Sequence, residues 1–186
     1  MCIRDSIVPL ALAVSPFLIQ PALPQLLRGE AGVDVLVHGL EHRNHAPAGA
    51  KRQELGYAPP DTFVARLSEG LARHRDAFGD RALPVMVPPW NRIDQNIIET
   101  LHDIGFTGLS TFGLRTSAQL AGLCVHNTHI DPVDWRKGKR LGDPASLASQ
   151  VAALAEAGEP VGLLTHHLIH DCLLYTSPSP RDATLS

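Results

Sequence analysis

Val33-Asp34-Val35-Leu36-Val37 runs without a break into His38-Gly39-Leu40-Glu41-His42-Arg43-Asn44-His45. The first five residues are short, mostly apolar and β-branched, which suits a strand covered on both faces. A polar turn follows, opened by Gly39, with imidazoles at positions 38 and 42. In parallel α/β sheets, ligands gather beyond the carboxyl ends of the strands. A strand that delivers two histidines at its end therefore predicts both a fold class and a site.

Outward from this stretch, further apolar runs lie at Leu10 to Val14, Pro84 to Val87, Gly108 to Ser110, Leu123 to Asn127 and Val161 to Thr165. They alternate with helix-like segments, the pattern of a parallel sheet with crossover helices, so the expected class is α/β. One helix starts near Asp61, read as its N-cap, and sets Phe63, Leu67, Leu71, His74 and Phe78 on one face before Gly79. A second runs from about Ile93 to Ile104 with Gly105 as left-handed terminator. A third spans Pro144 to Ala157, with Asp143 as N-cap and Gly158 as stop. Residues 38 to 60 have no period and are punctuated by Gly39, Pro47, Gly49, Gly56, Pro59 and Pro60. Loops of that length in compact domains are usually functional or disordered.

The chain has 186 residues, enough for one domain with a sizeable core. With 19% charged residues and a net charge of -3, it carries no electrostatic footprint for nucleic acid. Ten histidines are the unusual count, and histidine is the commonest metal ligand. Cys2, Cys124 and Cys172 lack Cys-x-x-Cys spacing, so neither a disulfide framework nor a cysteine zinc site is expected, and Cys124 reads as a small buried hydrophobe. Pro9 and Pro16 interrupt the apolar run from Ile7 to Ile19, and no run reaches the roughly 18 residues of a membrane span. Residues 1–6 and 172–186 resemble translated sequencing-adapter read-through and are set apart as tails from a domain over 7–171. The compartment stays open.

Three more clusters fall at predicted strand ends: Val87-Pro88-Pro89-Trp90-Asn91-Arg92, the stretch from Asn127 to Arg136, and His166-His167. Singly, each reads as a rigid turn, a core aromatic or a satisfied histidine. Together they set four polar or aromatic clusters on the rim where a barrel gathers its site. Their order is His-Gly-x-x-His, Pro-Pro-Trp, Asp-x-x-Asp-Trp and Leu-x-x-His. That order resembles motifs two to five of the polysaccharide deacetylase family, across roughly residues 7 to 171.

The resemblance implies an incomplete, distorted (β/α) barrel with parallel strands and a divalent metal, zinc by expectation, held by two histidines and an aspartate. By position, His38 and His42 are the metal ligands. Trp90 would stack on a sugar ring, with Pro88 and Pro89 shaping the groove wall. The arginine that often opens that motif is Val87 here, and Arg92 is the candidate to replace it. Asp134 and Trp135 match the fourth motif. The fifth admits two registers, making His166 the expected general acid and His167 its alternative, since imidazole titrates near neutrality. His129 and His45 are candidate supporting or substrate contacts.

The family's first motif, an aspartate pair supplying the general base and the third ligand, has no counterpart before Leu10. On this resemblance Leu10 to Val14 corresponds to the second strand, and the chain as it stands is expected to bind metal weakly and to be nearly inactive. The activity implied for the whole protein is hydrolysis of an N-acetyl group on an amino sugar or a related amide. The alternatives are a non-catalytic carbohydrate-binding or structural barrel, and a purely structural zinc site.

Overall fold

The structure, a computed structural model, describes residues 9–135, 140–158 and 160–166. The two expected tails and His167 lie outside the described residues. Contacts divide the chain into two compact units, Cys2–Asn127 and Thr128–Ser186.

The first unit is built on a six-stranded sheet of β1 (Leu10–Val14), β2 (Val33–Val37), β3 (Ala82–Met86), β4 (Gly108–Leu109), β5 (Gln119–Leu120) and β6 (Leu123–Val125). Its order is β1-β2-β3-β4-β6-β5. All neighbouring pairs are parallel except β5 with β6, which form an antiparallel edge. The expected α/β class with parallel strands is therefore present, as an open sheet rather than a closed barrel. In β2 the buried positions are Val33, Val35 and Val37, so the alternation selects the β-branched residues for the core and leaves Asp34 outside. The strand at Leu123 ends at Val125 instead of the expected Asn127. Asn127 turns its amide to the loop after β4, accepting from the Thr111 N–H at 2.9 Å and donating to the Gly113 carbonyl at 2.9 Å. Cys124 was expected inside; it is exposed because it occupies the outward position between buried Leu123 and Val125.

Helix α1 (Ala22–Leu27), a single short turn-and-a-half without periodic pattern, was not anticipated. Helix α2 (Asp61–Phe78) buries Phe63, Leu67, Leu71, His74 and Phe78, the face its spacing predicted. Fully burying an apolar side chain of this size contributes about 1.5–3 kcal/mol, so this stripe fixes the helix on the sheet. Asp61 is the first helical residue rather than the N-cap, because Pro60 already has helical backbone angles (φ -53°, ψ -40°). There the carboxylate still favours the helix N-terminus. Helix α3 (Gln95–Ile104) starts later than expected: Ile93 pairs in a parallel bridge with Leu55, and the Asp94 N–H donates to the Leu55 carbonyl at 2.9 Å. Gly105 ends it at φ 106°, the left-handed terminator read from the sequence.

The second unit holds the antiparallel pair β7 (Val133–Asp134) and β8 (Arg140–Leu141), and α4 (Pro144–Glu156). Asp143 caps α4 by accepting from the Ser146 N–H at 2.8 Å. The strand expected over Val161 to Thr165 is instead a single parallel bridge between Leu163 and Ile130. The ladder stops because Ile130 is followed after one residue by Pro132, which has no N–H to donate.

Candidate functional site

His38 sits one residue beyond β2, and its backbone N–H donates to the Val14 carbonyl at 2.9 Å, extending the pairing with β1. The Ser15 hydroxyl donates to the His38 carbonyl at 2.8 Å. On the other side, the Val87 N–H donates to the Val37 carbonyl at 2.8 Å, and the Val87 carbonyl lies 2.9 Å from Nδ1 of His38. A carbonyl only accepts, so Nδ1 carries the hydrogen and the lone pair is on Nε2. Burial pushes the His38 pKa below its ordinary value, and the nearby His42 pushes the same way; the Val87 hydrogen bond and Glu54 act against it more weakly than burial. The ring is therefore neutral at pH 7 with one nitrogen fixed, the state in which imidazole ligates a metal.

Gly39 then turns the chain at φ 56°. His42, itself left-handed at φ 57°, brings its ring back to His38 with centroids 5.1 Å apart. The other flank is Trp90, whose ring meets the His42 ring edge-on at 4.3 Å. Trp90 and Asn91 are also left-handed, at φ 55° and 57°, in the short turn after β3. Left-handed backbone at a residue other than glycine costs about 1–3 kcal/mol and persists only where the surroundings hold it. Three such residues meet at the carboxyl ends of two adjacent parallel strands. Pro88 and Pro89 are buried beneath the turn, and Arg92 is pinned by a 3.1 Å bond from Nη1 to the Arg52 carbonyl.

His45 accounts for both ends of its own hydrogen bonding: its N–H donates to the Gln53 carbonyl at 2.8 Å and its Nδ1 to the Glu54 carbonyl at 2.9 Å. Glu54 has no exposed surface, and its carboxylate accepts from the N–H groups of Leu40 (3.0 Å), Glu41 (2.8 Å) and Arg43 (3.1 Å). Nothing in the sequence singled Glu54 out, since a carboxylate that binds backbone leaves no mark in spacing.

In the second unit, Asp131 is the organising group. Its Oδ1 accepts from the Val133 N–H at 2.9 Å, while Oδ2 accepts from Trp135 Nε1 at 2.7 Å and lies 3.0 Å from His166 Nε2. The Trp135 and His166 rings meet edge-on at 4.9 Å. Asp131, three residues before Asp134 in the same stretch, is thus a carboxylate in contact with His166. Asp134 lies in β7. The His129 Nδ1 accepts from the Gly162 N–H at 3.2 Å, and its Nε2 is buried without a hydrogen-bond partner.

For a divalent metal, His38 and His42 offer two nitrogen donors of suitable chemistry, one with its tautomer fixed by a backbone carbonyl. Among the described residues no group of three potential ligands exists.

No family model matches the sequence, and no curated protein does. A solved structure from Mycobacterium smegmatis, described as a "putative polysaccharide deacetylase", superposes with a TM-score of 0.57 at 18% identity. The match covers 85% of this chain and 58% of that one. At this identity the likeness is one of fold, and it agrees with the (β/α)-type architecture expected from the sequence. The chain spans less than two thirds of that neighbour's length.

Proposed function

We propose that this chain carries part of the site of a metal-dependent hydrolase that removes an N-acetyl group from an amino sugar or a related amide. The observation that supports this most is the meeting of His38, His42 and Trp90 at the ends of β2 and β3, with His38 neutral and its Nδ1 engaged. When bound, a divalent ion such as zinc polarises the amide carbonyl and makes water a better nucleophile. His38 and His42 would hold it.

Further roles in this reading fall to the chain's own side chains. Trp90 offers an apolar face against which a sugar ring can stack, with Pro88 and Pro89 stiffening the turn beneath it. Arg92, Trp135 and His129 are further candidate substrate contacts in this reading. Within residues 128–166, His166 is the candidate general acid, and Asp131 orients it through the 3.0 Å bond to Nε2. Asp134 stands beside this pair in sequence as a lesser candidate, and His167 is the alternative acid. An N-acetylated carbohydrate is the substrate class.

The test is a cobalt or zinc titration of the chain and of its His38→Ala and His42→Ala variants. Each variant is expected to lose most of the affinity, as loss of a primary ligand should. Unchanged metal content in either one rejects the reading. Saturable binding of a chitooligosaccharide without metal, abolished in Trp90→Ala, would instead favour a non-catalytic carbohydrate-binding module.

A further inference from the structure

We infer that Glu54 is the positioning residue of the His38–His42 pair, a role that rests on the metal-site reading above. The turn from Gly39 to Arg43 has no regular hydrogen bonding to hold it. Three of its five N–H groups, those of Leu40, Glu41 and Arg43, converge on the two oxygens of one carboxylate that has no exposed surface. The Leu40 bond is buried and the other two partly so, and N–H groups withdrawn from water must find acceptors, so the carboxylate guides where the turn runs. These three donors bracket His42 in the chain and therefore set the left-handed bend that returns its ring to His38.

The surroundings leave the carboxylate little freedom. A Cβ at position 39 would lie 2.0 Å from Glu54 Oε2 and 2.6 Å from Pro89 Cδ, so the Gly39 backbone, the Glu54 head and the Pro-Pro-Trp turn are in direct contact. Glu54 itself is anchored on each side. The Gln53 N–H donates to Asn44 Oδ1 at 3.0 Å, and Leu55 pairs with Ile93 in the bridge that precedes α3. The Glu54 side chain thus holds the turn from Gly39 to Arg43, while the backbone beside it joins the loop of residues 38–60 to the segment after Trp90.

A packing role alone would predict loss of stability without loss of ring geometry, so the experiment reads geometry directly in the metal-free protein. In the unaltered chain, the amide protons of Leu40, Glu41 and Arg43 should exchange about 100-fold more slowly than those of the exposed residues Ala48 and Gly49. In Glu54→Gln, which keeps the shape but turns an NH2 toward one of the three donors, the nuclear Overhauser contact between His42 and Trp90 should disappear. Cobalt affinity should fall about 10- to 100-fold, the usual effect of losing a group that orients a ligand. Glu54→Asp should fall in between; should Glu54→Gln not fold, the Asp variant and the exchange rates decide the matter. Fast exchange of the three amides, or a Glu54→Gln protein that keeps both the ring contact and the cobalt affinity, overturns the inference. Absence of cobalt binding in the unaltered chain would defeat the metal reading alone, because exchange and ring contact report on Glu54 without metal.

Discussion

Gly39 illustrates how much of the histidine cluster depends on a single missing atom. An alanine there would combine a left-handed backbone with a Cβ 2.0 Å from Glu54 Oε2. Left-handed strain and overpacking each cost about 1–3 kcal/mol, so Gly39→Ala should destabilise the protein by about 3 kcal/mol in urea denaturation. A change below 1 kcal/mol would mean that the turn relocates freely. In the second unit, the residue to vary is Asp131, because one of its oxygens serves both Trp135 and His166. Asparagine would place an NH2 against the Val133 N–H or against the His166 and Trp135 donors. On the proposed reading, acetate release from an N-acetylated chitooligosaccharide should drop about 100-fold or more in His166→Ala, the usual share of a general acid. Asp131→Asn should fall between that variant and the unaltered protein, mainly in kcat. Equal rates in His166→Ala and the unaltered protein would move the acid role elsewhere.

Elements with a strong period were legible in the sequence, and those made by backbone satisfaction were not. The inward face of α2 followed from apolar residues at intervals of three and four, and all five residues named for it are buried. The Gly105 terminator of α3 and the Asp143 cap of α4 followed from local chemistry, which needs no tertiary context. By contrast, a run such as Val161 to Thr165 has strand composition but no partner able to extend the ladder past Ile130, and pairing depends on residues far away in the chain. A related reason hid the roles of Glu54 and Asp131: each acts on groups 2 to 35 positions away through single hydrogen bonds. A direct check on the local readings is Asp143→Ala. The cap accepts one N–H at 2.8 Å, so its loss should cost about 1 kcal/mol and fray the first turn of α4. Faster amide exchange at Ser146, with α2 unaffected, is the expected signature.

Across the whole molecule, two imidazoles, His74 fully buried and His38 half-buried, make stability depend on pH in one direction. His74 has no exposed surface; its Nε2 donates to the Val35 carbonyl at 2.9 Å, and its Nδ1 has no partner beside the Phe78 ring. Protonating Nδ1 would bury a charged N–H with nothing to receive it, so burial pushes the His74 pKa below its ordinary value of 6.5, outweighing the Val35 bond. His38 is pushed the same way, again chiefly by burial. In the unfolded chain both regain the ordinary value, so below about pH 6.5 the unfolded state binds more protons than the folded one. Stability therefore rises with pH in that window: it is full above about 6.5 and is lost progressively toward the lower folded pKa values. The slope is at most about 1.4 kcal/mol per pH unit for each histidine. Urea midpoints measured from pH 7.5 down to pH 5 should fall, and His74→Leu should show a shallower fall because one of the two sites no longer titrates. Adding His38→Leu should make the fall shallower still. A His74→Leu profile parallel to that of the unaltered protein would show that His74 takes up its proton in the folded state as easily as in water, contrary to its place between α2 and β2.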